Sequence, residues 1–257
     1  MERLGHLNQM DFFEAMALGT PGGKTADTPD DELAYALPHG FAMMSGIMRS
    51  HERADADELL GRAIELFDDP SNGFFVFLRP GGADADLERS LGDSPVGDPM
   101  RLPQMVCAEP LPMPEPSGAE IREVGDLEAA ADYWAVCGGA YPSLGFPADL
   151  FEIFTPEWLV DERIRAFAAY VEEEPVSCAL AWISRGVAGI YWVATLAAAR
   201  GRGLGATCSV AATNAGFERG GHFAALQASP MGESVYKRLG YRELYPYRVQ
   251  FARIEAG

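Results

Sequence analysis

Lysine is nearly absent: Lys24 and Lys237 are the only two in 257 residues. A nucleotide loop ending in Gly-Lys-Ser or Gly-Lys-Thr is therefore excluded, because that loop needs its lysine at the phosphates. With 20 basic against 38 acidic residues the formal net charge is -18, which excludes a surface built to meet nucleic-acid phosphates. Cysteine and histidine are sparse and scattered. Cys107, Cys137, Cys178 and Cys208 show no C-x-x-C spacing, and His6, His39, His51 and His222 show no ligand spacing. Buried reduced thiols and no metal site are expected. No apolar run reaches ~20 residues, and Met1-Glu-Arg-Leu-Gly-His6 carries no signal-peptide core. The expectation is a soluble, cytoplasmic protein without membrane association.

What stands out is the stretch Arg200-Gly201-Arg202-Gly203-Leu204-Gly205-Ala206. It follows the apolar run Gly189–Thr195 and opens a small-residue helix, so the order is strand, glycine loop, helix N-terminus. Such a junction favours anions: glycine lets backbone N–H groups converge, and the first helical turn leaves its N–H groups unpaired at the positive end of the dipole. Arg200 and Arg202 add charged donors for phosphate oxygens. The dinucleotide fingerprint G-x-G-x-x-G fails here, because its last glycine falls on Ala206. The pattern that fits is R-x-x-G-x-G-A, and in it the stretch resembles the pyrophosphate loop of the GNAT acetyltransferase superfamily. A second motif, Leu226-Gln-Ala-Ser-Pro-Met-Gly-Glu-Ser-Val-Tyr236-Lys-Arg-Leu-Gly240-Tyr, resembles the strand, acceptor loop and helix that carry that family's tyrosine.

The chain divides in sequence at Pro110-Leu-Pro-Met-Pro-Glu-Pro-Ser-Gly118, an extended proline-rich linker. Domains are expected over 1–109, an N-terminal platform, and 119–257, the acetyltransferase domain, with 110–118 between them. In the second, Glu120–Val124 reads as a strand and Asp126 as the cap of a helix whose Leu127, Ala130, Trp134 and Cys137 share a face. Ile164–Val171, Val176–Ile183 and Val187–Thr195 read as an antiparallel meander turning at Glu172–Pro175 and Ser184–Gly186. Then follow helix Leu204–Arg219, strand Phe223–Ala228, helix Met231–Leu239 and strands through Arg253.

In the first domain, a short helix is expected over Asp11–Leu18, a loop over Gly19–Asp31 and a strand over Gly40–Ile47. Helix Asp55–Asp69, strand Phe74–Leu78, helix Asp84–Leu91 and strand Gln104–Ala108 complete it, repeating strand, helix, strand, helix, strand. A degenerate internal duplication is inferred, the first copy lacking both the arginine-glycine loop and the tyrosine. The fold class is α/β (α+β): a mixed, mostly antiparallel twisted sheet flanked by helices, preceded by a smaller α/β domain resembling a degenerate half-copy.

The resemblance implies acetyl-CoA as co-substrate, no metal, and transfer of acetyl to an amine acceptor. Gly201, Arg202, Gly203, Leu204, Gly205 and Ala206, with Arg200, would hold the pyrophosphate; main chain of Val193, Ala194 and Thr195 would pair with the pantetheine arm and supply an oxyanion N–H. Tyr236 is the candidate general acid for the leaving thiolate. Ser229 stands where many members carry asparagine, and reads equally as a helix cap or a coenzyme contact. No Glu or Asp lies on Gly189–Thr195, so no base is assigned; Tyr191, Glu152, Tyr133 and Asp149 are substitutes, or a water chain serves. The acidity reads as a solubility device or as a preference for a cationic amine. Exchange of the last strands, common in the family, makes a homodimer an open arrangement. The rival reading is a non-catalytic acyl-CoA-binding or regulatory module.

Overall fold

The computed structural model describes residues 1–29, 31–51, 55–114 and 118–254. Glu115–Ser117 of the proline-rich stretch lie outside the described residues. In chain order the elements are α1 (Glu2–Gly19), β1 (Lys24–Thr25), β2 (Glu32–Ala36), β3 (Ser45–Arg49), α2 (Ala56–Leu66), β4 (Phe74–Leu78), α3 (Ala85–Ser90) and β5 (Met100–Cys107). They continue with β6 (Glu120–Glu123), α4 (Leu127–Ala140), α5 (Pro156–Leu159), β7 (Ile164–Val171), β8 (Glu174–Ser184), β9 (Val187–Thr195), α6 (Leu204–Glu218), β10 (Phe223–Gln227), α7 (Glu233–Leu239) and β11 (Arg242–Ala252). Two compact units result: residues 1–8 with 105–242, and 9–104 with the chain from 243 onward. The division falls after Gln104, ahead of the proline-rich stretch. Leu111 belongs to the larger unit because its N–H donates to Asn214 Oδ1 at 2.7 Å and its carbonyl accepts from Asn214 Nδ2 at 2.8 Å.

In the smaller unit β2 pairs antiparallel with β3, β3 parallel with β4, and β4 antiparallel with β11. Helix α2 starts where Asp55 accepts the N–H groups of Asp57 and Glu58, as its sequence predicts. Its Leu59, Leu60 and Ala63 bury against Ala34, Ile47 and Val76. Three expectations change. The helix expected over Asp11–Leu18 is the longer α1, whose polar His6, Asn8 and Gln9 are buried beside Leu7 and Met10, erasing the amphipathic period that would reveal it. The loop Gly19–Asp31 holds the short strand β1, and the adjoining β2 went unseen. The strand expected over Gly40–Ile47 begins only at Ser45, because Ala42–Met44 form a 3-10 turn.

One ion cluster organises this unit. Arg49 is wholly buried; its Nε donates to Asp84 at 2.8 Å and its Nη groups to Asp86, while Arg79 also holds Asp84, at 2.7 Å. Asp84 is thereby withdrawn from capping α3.

In the larger unit the strand order is β5-β10-β9-β8-β7-β6, with β9 and β10 parallel and β6 through β9 antiparallel. The meander has the bounds expected for β7 and β9. Its turns carry left-handed residues in pairs, Glu172 and Glu173 at φ 51° and 66°, then Arg185 and Gly186 at 52° and 71°. Such pairs suit tight hairpins, because their twist matches that of the strands. Helix α6 packs on the sheet through Cys208 and Ala212, against Ala181, Ala188 and Ala224. The approach is close enough that a Cβ on Gly216 would stand 2.3 Å from that of Ala188. Helix α4 is capped by Asp126 as expected; Ala130, Trp134 and Cys137 are buried, but Leu127, at the exposed first turn, is not.

The two units repeat one order: an antiparallel pair (β2/β3, β8/β9), a helix (α2, α6), a strand parallel to its predecessor (β4, β10) and a short helix (α3, α7).

Candidate functional site

The sheet of the larger unit opens at β9. Its parallel pairing with β10 runs from Val187–Phe223 to Gly189–Ala225 and stops, although the strands continue to Thr195 and Gln227. On the other side the register with β8 shifts: Leu180 faces Tyr191 and Cys178 faces Ala194, so Trp192 and Val193 stand together against Ala179. This is a β-bulge, with Trp192 at φ 45°, a strained conformation for a bulky residue. The Trp192 carbonyl accepts the Tyr133 hydroxyl at 2.9 Å, with the Cys137 and Cys178 thiols at 3.9 and 3.8 Å. Its ring sits among Tyr141, Phe151 and Phe154, and its Nε1 is buried without a hydrogen-bond partner.

From Thr195 the chain passes through a 3-10 turn into the glycine loop. Gly201 and Gly203 have φ 77° and 79°, and a Cβ on either would point into open space. Glycine is thus needed for the backbone conformation, and its bareness leaves the main chain approachable. Gly203 caps α6 from the left-handed region, leaving the N–H groups of Leu204, Gly205 and Ala206 without intrahelical acceptors. At Gly205 a Cβ would lie 2.9 Å from Thr195 Oγ1, which is 2.8 Å from Ser177 Oγ. Loop and strand end therefore meet in contact.

Together they bound a cleft of about 550 Å³. Of the residues singled out in the sequence, Val193, Ala194, Thr195, Arg200, Gly201, Gly203, Leu204, Gly205, Ala206, Ser229 and Tyr236 line it. Arg202 is not among the lining residues; its Nη2 lies 3.9 Å from where a Cβ on Gly118 would stand. Arg200 lines the cleft but spends donors on the protein, Nε on the Thr195 carbonyl at 3.1 Å and Nη2 on Ala140 O at 3.3 Å and Ser143 Oγ at 2.6 Å. It braces the loop against the end of α4.

Tyr236 projects from α7. The helix ends at Gly240, φ 107°, and the Tyr241 N–H closes on the Tyr236 carbonyl at 3.0 Å. Burial raises the Tyr236 phenol pKa above its usual range, and a hydrogen bond with Ser209 draws it partly back. The group is protonated at neutral pH. Ser229 caps the turn that leads into α7: its hydroxyl accepts the Gly232 N–H at 3.2 Å and its carbonyl the Glu233 N–H at 3.0 Å, α7 itself beginning at Glu233, and the residue stands on the cleft wall.

The substitute bases do not converge on the cleft. Tyr133 is a buried donor whose pKa burial drives well upward. Tyr191 donates to buried Asn8 at 2.9 Å, and Asp149 and Glu152 are exposed and outside the lining. Tyr141 and Leu144, from the aromatic connection that in the family walls the acceptor site, also line the cleft, as do Ser209 and Arg238, which sequence reading missed. Ser209 was findable, standing one helical turn beyond Gly205 on the same face of α6. A 3-10 turn over Tyr141–Leu144 places Tyr141 on the cleft wall.

Among the described residues no group of three or more His, Cys, Asp or Glu is placed to hold a metal, and no described helix is long and apolar enough to cross a membrane.

Residues 128–241 match the family model described as Acetyltransferase (GNAT) family. No curated protein matches the sequence. Among solved structures, the fold is similar to a GCN5-related N-acetyltransferase from Kribbella flavida at TM-score 0.68 and 20% identity, covering 98% of this chain and 96% of that one. It is also similar to a tandem GNAT protein from the clavulanic acid biosynthesis pathway, at TM-score 0.60 and 12% identity, covering 98% and 96%. A GCN5-related N-acetyltransferase from Sphaerobacter thermophilus aligns at TM-score 0.59 and 17% identity, covering 88% and 78%.

Proposed function

We propose that this chain is an acyl-CoA-dependent N-acyltransferase, moving acetyl from acetyl-CoA to the primary amine of a small acceptor by direct attack; the match of residues 128–241 to the acetyltransferase (GNAT) family model supports this reading. The observation that carries the reading is the single cleft wall shared by the opened end of β9, the glycine loop and Tyr236. Acetyl-CoA supplies the activated thioester. The first-turn N–H groups of α6 bind its pyrophosphate, and the unpaired end of β9 holds the pantetheine arm. The N–H of Val193 stabilises the oxyanion formed as the amine nitrogen bonds to the carbonyl carbon. As the carbon–sulfur bond breaks, Tyr236 gives its proton to the thiolate. The amine's surplus proton leaves to water, since no candidate base faces the cleft.

No Asp or Glu is among the described residues lining the cleft, whereas Arg200 and Arg238 are. The cationic acceptor suggested by overall charge thus has no carboxylate partner on this wall. In the smaller unit the place matching the glycine loop is the start of α2, where Asp55 already takes the N–H groups of Asp57 and Glu58. Its carboxylate repels an anion, so one coenzyme per chain is expected.

A second reading, a non-catalytic acyl-CoA-binding module, is favoured by the missing base. Thermal-shift titration with acetyl-CoA and with desulfo-CoA, beside the Arg200→Ala/Arg202→Ala variant, tests binding, since a ligand specific for the folded state raises the melting temperature. A shift lost in the variant supports the coenzyme site; no shift at millimolar ligand overturns both readings. Thiol release across an amine panel then separates enzyme from binding module.

A further inference from the structure

The bulge in β9 is held from outside the cleft. Trp192, in its left-handed conformation, needs a restraint to keep it there, and the restraint visible in the structure is a hydroxyl from another element. Tyr133, wholly buried on α4, donates to the Trp192 carbonyl at 2.9 Å. Every peptide bond described is trans, so the carbonyl of Trp192 and the N–H of Val193, which share one peptide plane, point in opposite directions. Fixing the carbonyl toward α4 aims the N–H away from α4. The next residue, Ala194, turns toward β8, where it faces Cys178, so alternation along the strand sends the Val193 N–H toward the side that β10 has vacated. Val193 lines the cleft there.

We infer that Tyr133 is a positioning residue for acyl transfer: its hydroxyl clamps the Trp192–Val193 peptide so that the Val193 N–H is aimed at the thioester carbonyl. The inference rests on the acyl-transfer reading above. The two thiols near the same carbonyl, Cys137 at 3.9 Å and Cys178 at 3.8 Å, are weak donors and do not replace a phenol at 2.9 Å. Rotation of the peptide by even a fraction of its range weakens a hydrogen bond whose value depends on alignment with the oxyanion.

The test is the Tyr133→Phe variant of the full chain, beside Tyr170→Phe. Tyr170 also ties a strand to α4, its hydroxyl donating to Asp132 at 2.8 Å, and so reports what loss of a helix anchor does by itself. Acetyl-CoA labelled with carbon-13 at its carbonyl is bound to each protein and the carbonyl stretch is measured by difference infrared spectroscopy. In the wild type the band lies below that of free acetyl-CoA. In Tyr133→Phe the displacement shrinks, kcat falls about tenfold, and the KM and Kd for acetyl-CoA stay within about twofold, because the phosphate contacts are untouched. Tyr170→Phe keeps the wild-type band and kcat. A Tyr133→Phe protein with wild-type band and kcat overturns the inference, as does equal loss in the two variants. Should Tyr133→Phe fail to fold, the wild-type amide spectrum decides: acetyl-CoA must move the Val193 proton downfield more than any other amide of β9, and no such movement overturns the clamp. Failure of the wild type to bind acetyl-CoA would instead overturn the acyl-transfer reading.

Discussion

The rings of Tyr236 and Tyr241 meet at 65° with centroids 5.7 Å apart, and the Tyr241 hydroxyl is tied to Thr213 at 2.6 Å. The candidate acid is thereby set against α6, the helix that the glycine loop opens. Gly232 completes the seat, since a Cβ there would stand 3.0 Å from the Tyr236 ring.

Replacing Tyr236 by Phe keeps this packing and removes the proton. Turnover should fall about 100-fold while acetyl-CoA still binds. Because burial raises the phenol pKa, the wild-type alkaline limb of kcat should lie above the ordinary tyrosine value near ~10. Steady-state kinetics against pH checks both; a Phe variant with full turnover removes Tyr236 as the acid.

Gly203→Ala places a Cβ on a residue at φ 79°, costing about 1 kcal/mol of stability. Coenzyme affinity should drop further than this, because the loop must relax away from the geometry that converges its N–H groups. Isothermal titration with CoA, paired with urea unfolding, separates the two losses.

Asn8 is wholly buried; its Nδ2 donates to the Val187 carbonyl at 3.2 Å and to Ser184 Oγ at 2.9 Å, while its Oδ1 accepts from Tyr191. Asn8→Ala should destabilise the protein by about 2–3 kcal/mol, since several buried groups lose partners at once. Urea unfolding with an unchanged midpoint would show the network to be dispensable.

Asp86, held by Arg49, has its pKa lowered from 3.8 to about 2, and buried Asp84 is lowered too. A depressed folded pKa contributes stability that is present above the unfolded value and lost as pH falls through the folded one. Acid unfolding should therefore steepen between about pH 4 and pH 2. Asp84→Asn, which leaves Arg49 short of its buried counter-charge, should cost about 3 kcal/mol at neutral pH and flatten that acid slope. Circular dichroism over pH 2–7 measures both.

Elements whose signal is local were legible in the sequence. The meander β7–β9, the caps Asp55 and Asp126, the glycine loop and the Tyr236 helix could be read because alternation, capping and glycine punctuation are properties of neighbouring residues. From these, eleven of the residues lining the cleft were already named. Distance in the chain hid the rest. Helix α1 buries Asn8, which pairs with residues over 170 positions away, beside buried His6 and Gln9, so no amphipathic stripe marks it. Arg200 reads as a phosphate ligand from its motif, and only folding showed its donors turned to Thr195, Ala140 and Ser143. In the sequence Trp192 is one residue of an apolar run and Tyr133 a substitute base. What they do is decided by the bulge, because the direction of a peptide N–H depends on which side of the strand its carbonyl is held. Sequence by itself determined the resemblance of the larger unit to the acetyltransferase family and the strand, glycine loop and helix order that carries it; tertiary structure alone decided which hydroxyl, 59 residues away, holds the strand beside that loop.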